Sequence, residues 1–232
     1  MMSDDDDERR IRILAFLTNL SESRGDAQSG TRQVNADTRE LSTRPAISAF
    51  SDNIVFSFPA SALTQVGAGQ VVFYLGNEIA KICTLAMELG CLIRGGISFG
   101  PLHHAGGVLF GKGLVEAYEL ESKFANYPRI ILSGEAERRL GLHPYLYSDN
   151  DGFASLNYLH AIYDQIPFRP EHFPCKMQLK RNWISKMRAR NNTQIRTLTA
   201  QTNLPGLQKW RWFDSKFEQF VAALHPSITG EG

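Results

Sequence analysis

The sequence predicts an α+β fold: a mixed, partly antiparallel sheet packed by helices and followed by a C-terminal helical extension. Two observations lead to it. Short β-rich runs alternate with helical periodicity, and one glycine-broken pair of such runs reads as a hairpin, up to about residue 166. From about Pro167 strand character gives way to two basic, aromatic stretches with helical spacing. The 232 residues therefore divide into 1–166 and 167–232.

The elements follow in order. Arg9 to Leu20 places Ile11, Leu14, Leu17 and Leu20 on one helical face, behind an acidic run that suits a helix N-terminus. Ser21 to Thr43 is rich in Ser, Thr, Gly, Asp and Asn and reads as a long loop. Pro45 to Phe58 reads as one strand that Pro59 ends, and it carries Asp52 in the middle of its apolar run. Gln70 to Leu89 keeps the i, i+3, i+4 spacing of a helix, with Gly90 as its stop. Cys91–Phe99 and His103–Phe110 flank Gly100-Pro101 and read as a hairpin. Lys112 to Asn126 returns to helix, "PRIILS" is a short buried strand, and "SDNDGFASLNYL" is a turn and then a further strand. Two helices separated by Leu204-Pro205-Gly206 complete the chain.

Bulk composition narrows the classes. Formal net charge is +1, so the whole chain carries no electrostatic signature of a nucleic-acid or membrane binder. Three widely spaced cysteines lack any metal-ligand spacing and read as reduced thiols. The acidic start "MMSDDDDERR" is unlike a signal peptide, and no apolar run approaches the ~20 residues of a membrane span, so a cytoplasmic location is expected.

Several residues stand out chemically. A carboxylate inside a strand is costly to bury unless something compensates its charge, which makes Asp52 a candidate metal ligand or a hydrogen-bonded strand-end acid. Phe50 shares its strand face, and contact with a ligand and core packing are both open to it. Arg94, beside Gly95-Gly96 in an apolar run, needs an anionic partner, either a phosphate or a structural carboxylate. Gly111-Lys112-Gly113 stands between strand and helix. It reads first as a tight turn and second as a phosphate cradle. His103-His104 alternate across a strand and do not share one ion. The basic cluster Lys176 to Arg190, with Trp183, reads as a solvated helix face rather than a nucleic-acid surface. Trp210, Trp212 and Phe213 read as the packing face of the last helix.

Taken in order, "FSDNIVFS", "RGGISFG", "VLFGKGLVEAYELE" and "ANYPRIILS" resemble the class III nucleotide cyclase catalytic domain over about Ile47 to Ser133. The variant details are most similar to bacterial pyrimidine nucleotide cyclases of Pycsar antiphage systems. The resemblance implies a cyclase-like mixed/antiparallel sheet. It also implies conversion of UTP or CTP to the 3′,5′-cyclic nucleotide and pyrophosphate. Asp52 and Arg94 would be catalytic, Phe50, Arg94 and Lys112 would bind substrate, and Asp52 would bind Mn²⁺ or Mg²⁺. Further implied are a homodimer and a downstream cyclic-nucleotide-binding effector; composition, separately, points to neither a membrane nor a nucleic acid as partner.

The pattern also departs from the family. The first strand, with its metal aspartate, has no counterpart before the Arg9–Leu20 helix, either because the chain as given starts late or because half the metal site is lost. Val115 and Glu119 stand where the family has an asparagine and a transition-state arginine, and Arg129 or a C-terminal basic residue is the candidate replacement. A degenerate, nucleotide-binding regulatory module is therefore the rival reading, with a nucleic-acid-binding protein third.

Overall fold

The computed structural model describes residues 46–50, 53–166 and 173–224. The expected Arg9–Leu20 helix, the Ser21–Thr43 loop and Asp52 lie outside the described residues.

The expected single strand is two. β1 (Ala46–Phe50) and β2 (Asn53–Ser57) pair antiparallel, in register from Ala46↔Ser57 to Phe50↔Asn53. A two-residue connection preserves the period-2 alternation, so a hairpin and one long strand look alike in sequence.

Helices α1 (Ser61–Val66) and α2 (Ala68–Glu88) follow. In α2 the apolar face, including Val72, Leu75, Ile79, Cys83 and Met87, is buried. Gly90, at φ 71°, takes the left-handed conformation that ends it. β3 (Gly95–Ile97) does not form the expected hairpin with its successor. It pairs in parallel with β6 (Ile130–Leu132) instead, Gly96 opposite Ile131. The hairpin falls one step later, between β4 (His103–Ala105) and β5 (Val108–Phe110). Gly106 and Gly107 connect these strands with φ of 59° and 76°, the two positive values that a type I′ connection demands.

The crossover from β3 to β6 also contains α3 (Lys112–Glu119), which runs into a π-helical turn at Leu120–Phe124. α4 (Gly134–Leu140), β7 (Leu146–Ser148), β8 (Ala154–Leu156) and α5 (Tyr158–Gln165) complete this part. The main sheet has the order β3-β6-β8-β7, parallel at β3/β6 and antiparallel elsewhere. The architecture is therefore α+β with a mixed sheet, as the sequence predicts.

Two long helices close the described chain: α6 (Phe173–Ala200) and α7 (Leu204–Ala222). The break falls just before Leu204, where the Asn203 side chain accepts from Gly206 N–H at 3.0 Å. Pro205 sits inside the first turn, where its missing N–H costs nothing. Both helices feed the same core as the sheet. Ile184, Met187, Trp210, Phe213 and Phe217 belong to one apolar cluster with Val72, Ile130, Leu156 and Ile162. No described helix is long and apolar enough to cross a membrane.

Candidate functional site

The motif residues occupy the β3–α3 layer. Gly96 lies directly under α3. A Cβ there would sit 2.2 Å from the Ala117 carbonyl oxygen and 2.7 Å from Leu120 Cβ. Gly111, at φ 146°, is pinned in the same way, with a Cβ position 2.4 Å from the Pro101 carbonyl oxygen. The Gly113 N–H donates to Pro101 O at 3.1 Å, and the Ser98 hydroxyl donates to Gly113 O at 2.5 Å. These glycines let strand, loop and helix approach. The Gly111-Lys112-Gly113 segment is a strand-to-helix turn, and the Gly113 N–H is already taken by protein. Gly96→Ala is expected to lower stability by about 1–3 kcal/mol, because the backbone above it has to move. A denaturant midpoint measures this, and an unchanged midpoint would contradict the packing role.

Arg94, just before β3, meets the structural carboxylate that the sequence left open. Its Nε stands 2.5 Å from Glu121 Oε1, with the two side chains 41 % and 21 % exposed. The ion pair joins the "RGG" and "YELE" motifs. Lys112 is exposed at the opposite end of α3, nine residues from Glu121 and so roughly 13 Å along the helical axis. Arg94 and Lys112 are thus not brought together. Phe50 ends β1 opposite Asn53. Val115 is 57 % exposed, and Glu119 pairs with Lys123 at 2.6 Å.

The two histidines part company, as strand geometry requires. His103 stacks on Phe110 across the β4–β5 ladder, ring centroids 5.1 Å apart. His104 is gripped by Ser48 Oγ at Nε2 and by Ser57 Oγ at Nδ1, both at 2.8 Å. Burial and the neighbouring His103 lower its pKa, so the neutral ring donates from one nitrogen and accepts at the other. Ser48 and Ser57 are diagonal neighbours on the β1–β2 ladder, so His104 clamps one hairpin to the other.

A second constellation was largely invisible in sequence. Arg129, at the head of β6, is 6 % exposed. Its Nη1 lies 2.9 Å from Asp149 Oδ2, and its Nη2 pairs with Asp151. Asp149 also accepts from Lys216 Nζ at 2.8 Å and from Ser155 Oγ at 3.0 Å. Burial acts to raise the Asp149 pKa, but the bonds from Lys216, Arg129 and Ser155 outweigh it and hold the carboxyl below its ordinary range. These groups border an open cavity of about 480 Å³ with aromatic walls that include Phe124, Phe153 and Trp212. Tyr127 stacks on Trp212, centroids 5.3 Å apart and planes 8° off parallel. The sequence offered Arg129 as a replacement for the family's transition-state arginine, whereas here its guanidinium is buried and paired with Asp149 and Asp151. Asp149 and Asp151 were read only as turn residues, and Lys216 is 67 positions from its partner.

Among the described residues no group of three or more His, Cys, Asp or Glu side chains is placed to hold a metal ion. Asp149 and Asp151 are committed to Arg129 and Lys216. The described residues do not fit a metal centre by themselves. Comparison of the chain with family models, curated proteins and solved structures gave no match.

Proposed function

We propose that the chain is a class III cyclase-like pyrimidine nucleotide cyclase of the cytoplasm. It converts UTP or CTP to 3′,5′-cyclic UMP or CMP as a signal in antiphage defence. The 3′-oxygen forms a bond to the α-phosphorus, the bond from that phosphorus to the bridging oxygen breaks, and pyrophosphate and the hydroxyl proton leave. A homodimer and a cyclic-nucleotide-binding effector belong to this reading, as does Mn²⁺ or Mg²⁺ at a site that includes Asp52.

One observation carries it. Two of the motifs that resemble the family, "RGGISFG" and "VLFGKGLVEAYELE", pack together, with β3 beneath α3 at Gly96 and Arg94 tied to Glu121. A second reading, a degenerate module that binds nucleotide without turning it over, draws on the same helix. Its open face carries Val115 and Glu119 where the family has an asparagine and an arginine, and Arg94 is already neutralised. Assay of cyclic nucleotide formation by the purified chain and by Asp52→Ala separates the two readings.

A further inference from the structure

The balanced net charge of the chain conceals a segregation. Helix α6 contains seven lysines and arginines and no aspartate or glutamate. That leaves 18 of the chain's 25 basic residues to set against all 24 acidic ones, a balance of −6 outside α6. At 28 residues the helix is roughly 42 Å long.

Its two faces have separate tasks. The inner face supplies Ile184 and Met187 to the core, with Trp183, Ile195 and Leu198 packed against it. Lys180 is buried, its ammonium 3.6 Å from the Tyr163 ring centroid, so it belongs to the inner face as well. The acids of α7 face the seam between the helices. Glu218 takes Arg188 in a two-bonded pair at 2.8 and 2.7 Å, and Asp214 accepts from the Asn191 amide at 2.8 Å. The outer face carries three more cations. Lys186 and Arg196 are exposed and Arg190 is half-buried. Lys186, Arg190 and Arg196 have no acidic partner among the described residues. Along the axis these three cations are four and six residues apart, about 6 and 9 Å. Small polar side chains such as Asn182, Ser185 and Thr193 lie among and beside them, also exposed.

We propose that the outer face of α6 docks on the phosphodiester backbone of a nucleic acid. Charge complementarity selects this occupant. A row of cations on a rigid helix, without acids to repel phosphate, is the electrostatic footprint of backbone binding. The aromatic Trp183 is turned inward against Tyr163 and Phe217, so among the described side chains of α6 none on the outer face stacks on bases, and recognition is independent of sequence. An anionic membrane fits less well. Apart from Leu179 the apolar residues named here are used in packing, which leaves no apolar stripe among the described residues of α6 to enter a headgroup layer. The proposal is independent of the cyclase reading, since it uses no residue of the motif layer. It revises the solvated-face expectation drawn from sequence.

The test is fluorescence anisotropy of the full chain with two labelled 24-base-pair DNA duplexes of unrelated sequence, across a salt series. Three neutralised phosphates give an affinity loss of about 40-fold between 50 and 200 mM salt, equal for both duplexes. Lys186→Gln/Arg190→Gln/Arg196→Gln is expected to flatten the logarithmic salt slope by about 2.7 while the melting temperature holds. No binding at 50 mM salt would overturn the proposal, and the wild-type chain alone suffices to see that. A slope unchanged in the variant, or binding confined to phosphatidylserine vesicles, would overturn it equally.

Discussion

Asp149→Ala is expected to destabilise the protein by about 3–5 kcal/mol, measured by denaturant unfolding. The side chain is 5 % exposed and accepts from three groups carried by β6, β8 and α7. Removing it leaves the buried Arg129 with only the 46 % exposed Asp151 and the Phe124 carbonyl as partners. The cost is that of a stranded buried charge, not of a lost contact. Arg129→Met/Asp149→Leu, which removes both charges, is therefore expected to recover much of the loss. The pH dependence has a definite sign. The native carboxyl titrates below its unfolded value of about 3.9, so its contribution is fully present above that pH and is lost as pH falls through the native pKa. Asp149→Ala should flatten the acid limb of the stability curve. A stability loss below 1 kcal/mol would mean that water relieves the network.

Phe213→Ala is expected to cost about 3–5 kcal/mol, a large part of the stability of a typical domain. Phe213 is fully buried and meets Trp210 edge to face, centroids 5.8 Å apart. It lies in α7, within the 167–232 segment that the sequence separates as an extension. Because its cluster also contains residues of α2, β6 and β8, the loss should lower one cooperative transition for the whole chain. Two transitions, with only the C-terminal helices loosened, would show that α6 and α7 stand apart from the sheet.

The legible parts of the fold were those fixed by local period. The face of α2, the continuous apolar run of β6 and the stop at Gly90 follow from neighbours a few residues apart. Strand pairing did not. Gly100-Pro101 and Gly106-Gly107 both punctuate β-rich sequence, and the choice turned on β6 taking the edge of β3, an event more than thirty residues away. The site divides in the same way. Arg94 announced its need of a carboxylate, but only folding shows that Glu121 supplies it. The Arg129–Asp149–Lys216 network joins three distant segments and leaves no local pattern to read.

Cyclisation of a nucleoside triphosphate leaves a product that can be read directly. The purified full chain is incubated with the four ribonucleoside triphosphates and Mn²⁺, beside Asp52→Ala, and cyclic monophosphates are identified by mass spectrometry. The expected result is cyclic UMP or cyclic CMP with pyrophosphate from the wild-type chain and neither from the variant. Absence of any cyclic nucleotide from the wild-type chain, or equal amounts from both, would contradict the account.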